Sequence, residues 1–320
     1  MGCLASDMSR LAGSRTIEGV ERRKLDGRRL VITADDFGYD PASSALILSL
    51  IRGGFVTSTS VLAVSEELHP RHLARLQSLA DDGLCSIGLH FATTSDGNRS
   101  GWRPLSPQGQ ILAGPDGRLL TSGTAAERRA CSRIIGAELE AQHSRLLEHG
   151  LRPTRLDSHS GTLYGLRVGS PPNSPEHEPR KPLREGIRFA AVHNLALRLP
   201  RSVRLIVGPV IPPLISRPHV VAVEAADRRK VRLPQEMATN PFPYPLIPGY
   251  RSLLAYYLRL LPRLPVGTTE IFLHPGSDSP ASRHRFGGSW IKRIWEARML
   301  RDPVWRAALK SQGIELVTSW

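Results

Sequence analysis

The sequence predicts an α/β fold with a parallel sheet and outer helices. Short apolar runs alternate along the chain with amphipathic segments of helical period, and this alternation is typical of parallel sheets with helical crossovers. Several predicted strands also end on Asp or His, and the C-terminal ends of strands carry the active site in such folds. The pattern fits either an open sheet or a sheet closed into a barrel.

Eight segments have the length and composition of strands, and four have the spacing of amphipathic helices. The predicted strands are Arg29–Ala34, Val56–Val64, Leu84–His90, Thr154–Asp157, Gly186–Ala191, Val220–Val223, Glu270–His274 and Gly313–Thr318. The predicted helices are Ala42–Arg52, Ala125–His149, Leu253–Leu261 and Trp295–Lys310. We interpret residues 29–320 as a single domain.

The remaining segments are interpreted as a leader and loop insertions. Residues 1–28 lack the apolar stretch of a secretory signal and are expected to form a poorly ordered leader. Two segments, at about 93–117 and 168–182, carry the Pro, Gly and polar residues of loops and are predicted to be insertions.

Composition excludes some classes of protein. Hydrophobic residues make up 40% of the 320 residues, and no apolar run reaches the ~18 residues of a membrane span. The net charge of +14 could serve an anionic partner, but no basic patch with interleaved aromatic residues appears. We therefore expect no nucleic acid partner and interpret the charge as a solvated, arginine-rich surface. Three scattered cysteines fit a reducing compartment, so a cytoplasmic protein is expected.

Two adjacent carboxylates end the first predicted strand, in Thr33-Ala34-Asp35-Asp36-Phe37-Gly38. Burying both is unfavourable unless the site uses them. Consecutive side chains point in different directions, so one carboxylate could bind a metal while the other acts as a base on a bound water. The alternative is a pair that caps the helix predicted to begin near Ala42.

Two further strand ends carry histidines. His90 follows Gly88-Leu89, and Gly88 would let another group approach closely. His159 follows Asp157-Ser158, where Asp157 could either orient a metal ligand or cap the next helix. One Asp and two His suit a single divalent ion with open positions for water and substrate. The alternative for each His is a structural residue at a strand end.

A fourth motif ends a late strand. His274 stands in Phe272-Leu273-His274-Pro275-Gly276, where the proline fixes the turn. A histidine there can act as a general acid for a leaving group. The alternative is a structural histidine in the turn.

Together, these motifs resemble those of the YdjC/ChbG-like carbohydrate deacetylases. The matching motifs, in chain order, are Thr33–Gly38, Gly88–His90, Asp157–Tyr164 and His274-Pro275. The similarity spans roughly residues 28–318, and four motifs in order are more specific than any one alone. Other branches of the family carry a second histidine at the position of Gly161, so no further ligand is expected from this motif.

The resemblance implies a distorted TIM-like (β/α) barrel that binds one divalent ion and removes N-acetyl groups from amino sugars in oligosaccharides. Carried over by motif, it implies Asp35 as the catalytic base, His274 as the catalytic acid, and Asp36, His90 and His159 as metal ligands. The family's ion is described as Mg²⁺ or Zn²⁺, and the donor types also suit Co²⁺ or Mn²⁺. Family members are commonly dimers, so a homodimer is one option.

Two features concern substrate binding and specificity. Trp102, in the first insertion, could stack on a sugar face or anchor its loop in the core. The Pro-rich insertion at 168–182 departs from the family pattern, which leaves specificity open.

Two other functions fit part of the pattern. A different metal-dependent hydrolase, such as an esterase or phosphoesterase, needs the same activated water. A non-catalytic carbohydrate- or anion-binding protein would use the basic surface, but it has no need of a base beside a metal.

Overall fold

A computed structural model describes residues 27–96, 101–166 and 181–320, which form one parallel sheet with helices around it. The strands are β1 (Arg28–Phe37), β2 (Ser58–Val61), β3 (Ser86–Phe91), β4 (Arg155–Ser158), β5 (Ala196–Leu197), β6 (Glu236–Ala238), β7 (Gly267–Leu273) and β8 (Glu315–Leu316). Their order is β5-β4-β3-β2-β1-β7-β6, and β8 pairs with the beginning of β1.

Strand β1 is the centre of the sheet. It pairs with β7 from Arg28 to Ala34 and with β2 from Thr33 onward. The register with β2 shifts between Ala34 and Phe37, so the ladder is irregular where the two adjacent carboxylates lie. The end of β1 can therefore direct neighbouring side chains in ways that a regular strand cannot.

The two edges of the sheet meet through β5 and the segment that follows it. Leu197 N–H donates to Arg232 at 2.9 Å, and Ser202 N–H donates to Gln235 at 3.0 Å. An isolated parallel bridge joins Ser202 to Glu236 in β6. The sheet is thus curled into a distorted barrel, and the predicted fold class, parallel strands with outer helices, is confirmed.

Helices cover the outside of this sheet. They are α1 (Pro41–Arg52), α2 (Pro70–Asp81), α3 (Gly123–Arg129), α4 (Ser132–Glu148), α5 (Lys181–Val192), α6 (Arg204–Val207), α7 (Pro213–Arg228), α8 (Tyr250–Leu260), α9 (Pro280–Phe286), α10 (Trp290–Arg301) and α11 (Pro303–Ser311). Within the described ranges, none of these helices combines the length and apolar character that a membrane span requires.

The two faces of the sheet have opposite polarity. Alternate residues of the strands, such as Ile32, Leu89 and Leu156, belong to the apolar core that includes buried residues of the helices. The intervening residues, such as Thr33 and Arg155, are also buried but hydrogen-bond to one another inside the barrel. Side chains alternate across a strand, so every second residue faces the interior. The polar interior therefore continues along the strands to their C-terminal ends.

Two predicted strands are wrong. Gly186–Ala191 lies within α5, and Val220–Val223 lies within α7. A short apolar run does not distinguish a strand from the buried face of a helix. The strands that complete the sheet instead, β5 and β6, contain only two and three residues and leave no periodic signal.

Two predicted helices are each divided in two. Ala125–His149 separates into α3 and α4, and Trp295–Lys310 separates into α10 and α11 at Asp302. Pro303 cannot continue α10, and the Asp302 carboxylate caps α11 by accepting from Val304 N–H at 2.9 Å. Helices α2, α5, α6, α7 and α9 were not predicted from the sequence.

The predicted leader and insertions are only partly within the described residues. Nearly all of residues 1–28 and 168–182 lie outside them, so those predictions remain predictions. In the first insertion, the described part contains a short 3₁₀ helix, Gln108–Leu112.

Candidate active site

The two carboxylates at the end of β1 are buried and have different neighbours. Asp36 adopts a left-handed conformation with φ of 68°, which is rare for residues other than Gly, Asn and Asp. Neither carboxylate caps α1, because Asp40 does so by accepting from Ser43 N–H at 2.9 Å. The helix-cap alternative for the pair is therefore excluded by the structure.

Asp35 is held by an arginine fork. Arg198 Nη1 and Nη2 donate to the two carboxylate oxygens at 2.7 Å each, and Ser60 Oγ donates to Oδ1 at 2.6 Å. Burial alone would raise the pKa of Asp35, but the charges of Arg198 and His90 outweigh burial and hold it well below its usual range. Asp35 is thus ionised and fixed in orientation.

Asp36 uses only one of its carboxylate oxygens in hydrogen bonding. Arg293 Nη2 donates to Oδ2 at 2.7 Å. The other oxygen, Oδ1, lies 3.3 Å from His90 Nε2 and accepts no hydrogen bond from the described residues. Burial raises the pKa of Asp36, but Arg293 and His90 lower it well below the usual value. In the metal-free protein the protonated His90 ring faces this oxygen, and a cation bound at Nε2 would take the place of that proton.

His90 is oriented by a second carboxylate. Its Nδ1 makes a short hydrogen bond with Asp157 Oδ1, which directs Nε2 toward Asp36. The absence of a side chain at Gly88 leaves room for the side chains of Arg155 and Asp157. A Cβ at this position would lie 2.9 Å from Arg155 Nε and 3.1 Å from Asp157 Oδ2. A histidine with one nitrogen bonded to a carboxylate and the other free is the usual arrangement of a metal-binding histidine.

His159 lies at the edge of this group. Its ring centroid is 5.6 Å from that of His90, and its Nε2 is 3.5 Å from Asp96 Oδ1. Its buried Nδ1 has no hydrogen-bond partner among the described residues. The ring of Trp102 packs edge-on against His159 at 5.0 Å and is 1% exposed, so Trp102 anchors its loop in this structure.

His274 borders the same space from β7. Its Nε2 lies 3.9 Å from Asp35 Oδ2, and its side chain is 35% exposed. Its backbone N–H donates to Glu296 at 2.7 Å, which fixes the turn after the strand. Burial lowers the pKa of His274, and the nearby carboxylates of Asp36 and Asp35 only partly oppose this effect.

Several residues at the site could not be identified from the sequence. Arg198 and Arg293 contact the two adjacent carboxylates, and Arg155 and Glu270 complete a buried charge network beneath them. These arginines belong to a chain with 43 Lys and Arg residues, so no single one stands out. Arg198 follows the two-residue strand β5, which itself has no sequence signal.

Among the described residues, one set of donor atoms converges closely enough to hold a metal ion. Asp35, His90 and Asp157 bring one donor atom each to within 4.8 Å of one another. In that set, both oxygens of Asp35 already bond to Arg198, and His90 Nδ1 already bonds to Asp157. The buried atoms without hydrogen-bond partners among the described residues are instead Asp36 Oδ1, 3.3 Å from His90 Nε2, and Nδ1 of the neighbouring His159, but these do not form a group with His90 within 4.8 Å. The carboxylate and imidazole donors fit a divalent ion.

Comparison with known proteins shows a similarity to one family. Residues 29–171 match the family model described as YdjC-like protein. That segment contains β1 to β4 and therefore includes Asp35, Asp36, His90 and His159. This part of the chain is therefore similar to the YdjC-like family. The resemblance noted from the four motifs is thereby confirmed.

Two relatives align with most of the length of this protein. It is 29% identical over 296 residues to a carbohydrate deacetylase of Geobacillus stearothermophilus, which covers 91% of this chain and 96% of that protein. It is 28% identical over 324 residues to the carbohydrate deacetylase of Mus musculus, covering 90% and 93%.

A solved structure has the same fold. A protein from Enterococcus faecalis described as a cellobiose-phosphate cleavage protein aligns with a TM-score of 0.68 and 22% identity. The alignment covers 92% of this chain and 98% of that chain. At this identity the likeness supports the fold alone.

The protonation of His90 leads to a testable prediction about metal binding. Burial lowers the pKa of His90, but Asp157 and Asp35 raise it to about 10, so the metal-free ring is protonated at neutral pH. A metal ion on Nε2 must displace that proton, and its affinity should therefore rise as pH rises. We predict release of about one proton by His90 per Zn²⁺ bound near pH 7, and an affinity gain of up to ~10-fold per pH unit.

Calorimetry in buffers of different ionisation enthalpy measures this proton count. The control is His193→Gln, which changes a partly exposed histidine paired with Glu140 and should release as many protons as the wild type. Zn²⁺ binding without proton release, and with a flat pH dependence, would contradict the assignment of His90.

Proposed function

We propose that this protein is a metal-dependent hydrolase that removes N-acetyl groups from amino sugars in oligosaccharides. The observation that carries the proposal is that the two adjacent carboxylates have different surroundings. Asp35 is held ionised by Arg198, whereas Asp36 Oδ1 faces His90 Nε2 and accepts no hydrogen bond from the described residues. The relatives named carbohydrate deacetylases support an amide of an acetylated sugar as the substrate. We retain the expected cytoplasmic location and homodimer as parts of the proposal.

We propose Asp36, His90 and His159 as the metal ligands. Asp36 Oδ1 and His159 Nδ1 are buried potential ligand atoms without hydrogen-bond partners among the described residues, and His90 neighbours both, with Nε2 3.3 Å from Asp36 Oδ1 and its ring centroid 5.6 Å from that of His159. Asp157 then acts as the carboxylate that orients His90. Two imidazoles and one carboxylate favour Zn²⁺, Co²⁺ or Mn²⁺ over Mg²⁺, which prefers oxygen donors.

In this proposal Asp35 is the general base. When bound, a divalent ion would polarise the acetyl carbonyl and acidify a water molecule. Asp35 is ionised and lies beside the proposed ligand Asp36, so it can accept a proton in that space. Its low pKa makes it a weak base, so the proton transfer would depend on the acidity that a bound ion gives to the water.

His274 is the proposed general acid. Its Nε2 lies 3.9 Å from Asp35 Oδ2, so base and acid border the same space from adjacent strands β1 and β7. Its partial exposure leaves it reachable by a substrate, and the charges of Asp36 and Asp35 offset part of the lowering of its pKa by burial. The imidazolium would donate its proton to the amine nitrogen as the amide C–N bond breaks.

Acetate release tests the proposed reaction. We expect metal-stripped protein to be inactive on N-acetylglucosamine oligomers and to regain acetate release with Zn²⁺, Co²⁺ or Mn²⁺. The measurement is enzymatic quantification of acetate, run in parallel with acetyl esters and aryl phosphates. Ester or phosphate turnover without acetate from the sugar amide would favour the esterase or phosphoesterase alternative instead.

Substitution of the proposed base tests its role. Asp35→Asn should keep the metal ion, because the ligands remain, and lower turnover by roughly 10²- to 10⁴-fold. Turnover and metal content are measured on the same preparation. The matched control is Asp227→Asn, which alters an exposed aspartate bound by Arg201 with the same two-bond fork. Near-normal turnover of Asp35→Asn would exclude this base.

A further inference from the structure

Glu270 lies in the polar interior of the barrel, beneath the site. It stands on β7, is fully buried, and pairs in register with β1 through Val31. The proposed reaction gives it no role, because Asp35 occupies the site end of β1, farther along the strand. A buried carboxylate is unfavourable unless cations compensate it, and the contacts of Glu270 identify those cations.

Arg198 joins Glu270 to Asp35. Its Nε donates to both Glu270 oxygens at 3.0 Å, and its Nη1 and Nη2 donate to the two Asp35 oxygens at 2.7 Å. The planar guanidinium thus binds one carboxylate along its side and another at its tip. Such a fork has little freedom to rotate while both carboxylates are bound.

Glu270 itself is anchored from other strands. Thr33 Oγ1 donates to Oε1 at 2.6 Å, and Arg155 Nη1 donates to the same oxygen at 2.8 Å. Arg155 also lies 3.5 Å from Asp157, the carboxylate that orients His90. Contacts from β1 and β4 therefore fix Glu270, so it can serve as a rigid support for Arg198.

We propose that Glu270 is a positioning residue that acts through Arg198 to hold the Asp35 carboxylate in its reactive orientation. This inference rests on the proposed function, since it gives Asp35 the role of the base. Without Glu270, Arg198 keeps only the contacts of Nη1 and Nη2 with Asp35 and Asp157, so its Nε side is free to rotate and the fork and Asp35 can shift together. Displacements of about 1 Å in a reacting group are enough to lower rates substantially.

Glu270→Gln tests the proposal because it keeps the size of the side chain and removes the charge. We expect kcat/KM for acetate release to fall by roughly 10- to 100-fold, the usual effect of losing a residue that orients another. Zn²⁺ affinity should change by less than ~3-fold, because Asp157 still bonds to His90. In an Asp35→Asn background, the same substitution should cause almost no further loss.

The matched control is Glu236→Gln. Glu236 is a buried carboxylate on the neighbouring strand β6, where it accepts from Ser202 Oγ at 2.7 Å. The control should leave kcat/KM close to the wild-type value. An equal loss for Glu270→Gln with and without Asp35, or no loss at all, would overturn the proposal.

If Glu270→Gln does not fold, Glu270→Asp keeps the charge, withdraws the carboxylate by one methylene, and should show a smaller loss that again depends on Asp35.

A crystal structure of Glu270→Gln separates this inference from the proposed reaction, because it needs no substrate. We expect the Asp35 carboxylate or the Arg198 guanidinium to move by ~1 Å relative to the wild type. An unchanged fork on Asp35 would overturn the positioning role. If the wild type released no acetate but the fork moved in Glu270→Gln, the proposed reaction would fail while the link from Glu270 to Asp35 stood.

Discussion

The two-bond contact between Arg198 and Asp35 is the interaction on which the site depends. Both side chains are almost fully buried, and the guanidinium also reaches Glu270 and Asp157. Removal of one partner from such a pair typically costs roughly 3–5 kcal/mol, because the remaining charge stays buried and uncompensated. The interior of the barrel is thus a network of buried charges. At the C-terminal end of β1 this network holds Asp35 and Asp36, which differ in their hydrogen bonding. Asp35 is fully bonded, while Asp36 keeps one oxygen without a donor.

The irregular end of β1 explains how neighbouring residues acquire these different roles. In a regular strand, Asp35 and Asp36 would face opposite sides of the sheet, one toward the interior and one toward the helices. The register shift after Ala34 and the left-handed conformation of Asp36 keep both at the site. Left-handed conformations of residues other than glycine cluster at functional sites, where the surrounding contacts compensate for their cost. Here Arg293 and His90 provide those contacts.

The sequence predicted the parts of the protein that have local signals. Asp35, Asp36, His90 and His274 end strands with clear apolar patterns, and their convergence follows from the shared edge of a parallel sheet. Arg198, Arg293 and Glu270 were missed because their roles arise from contacts between residues more than 70 positions apart. The short strands β5 and β6 were missed for a related reason, since the curled sheet rather than local propensity places them. The two wrongly predicted strands have the opposite cause. A local signal was present there, but a short apolar run on a helix face resembles a buried strand.

The position of a bound metal ion tests the account most directly. Crystals soaked in Zn²⁺ and measured at the zinc absorption edge would locate the ion by anomalous scattering, independently of any substrate. The account predicts one peak within bonding distance of Asp36 Oδ1, His90 Nε2 and His159, at about 2.0–2.2 Å. A peak bound instead by Asp35, His90 Nδ1 and Asp157 would contradict it, because Asp35 would then be a ligand and could not act as the base.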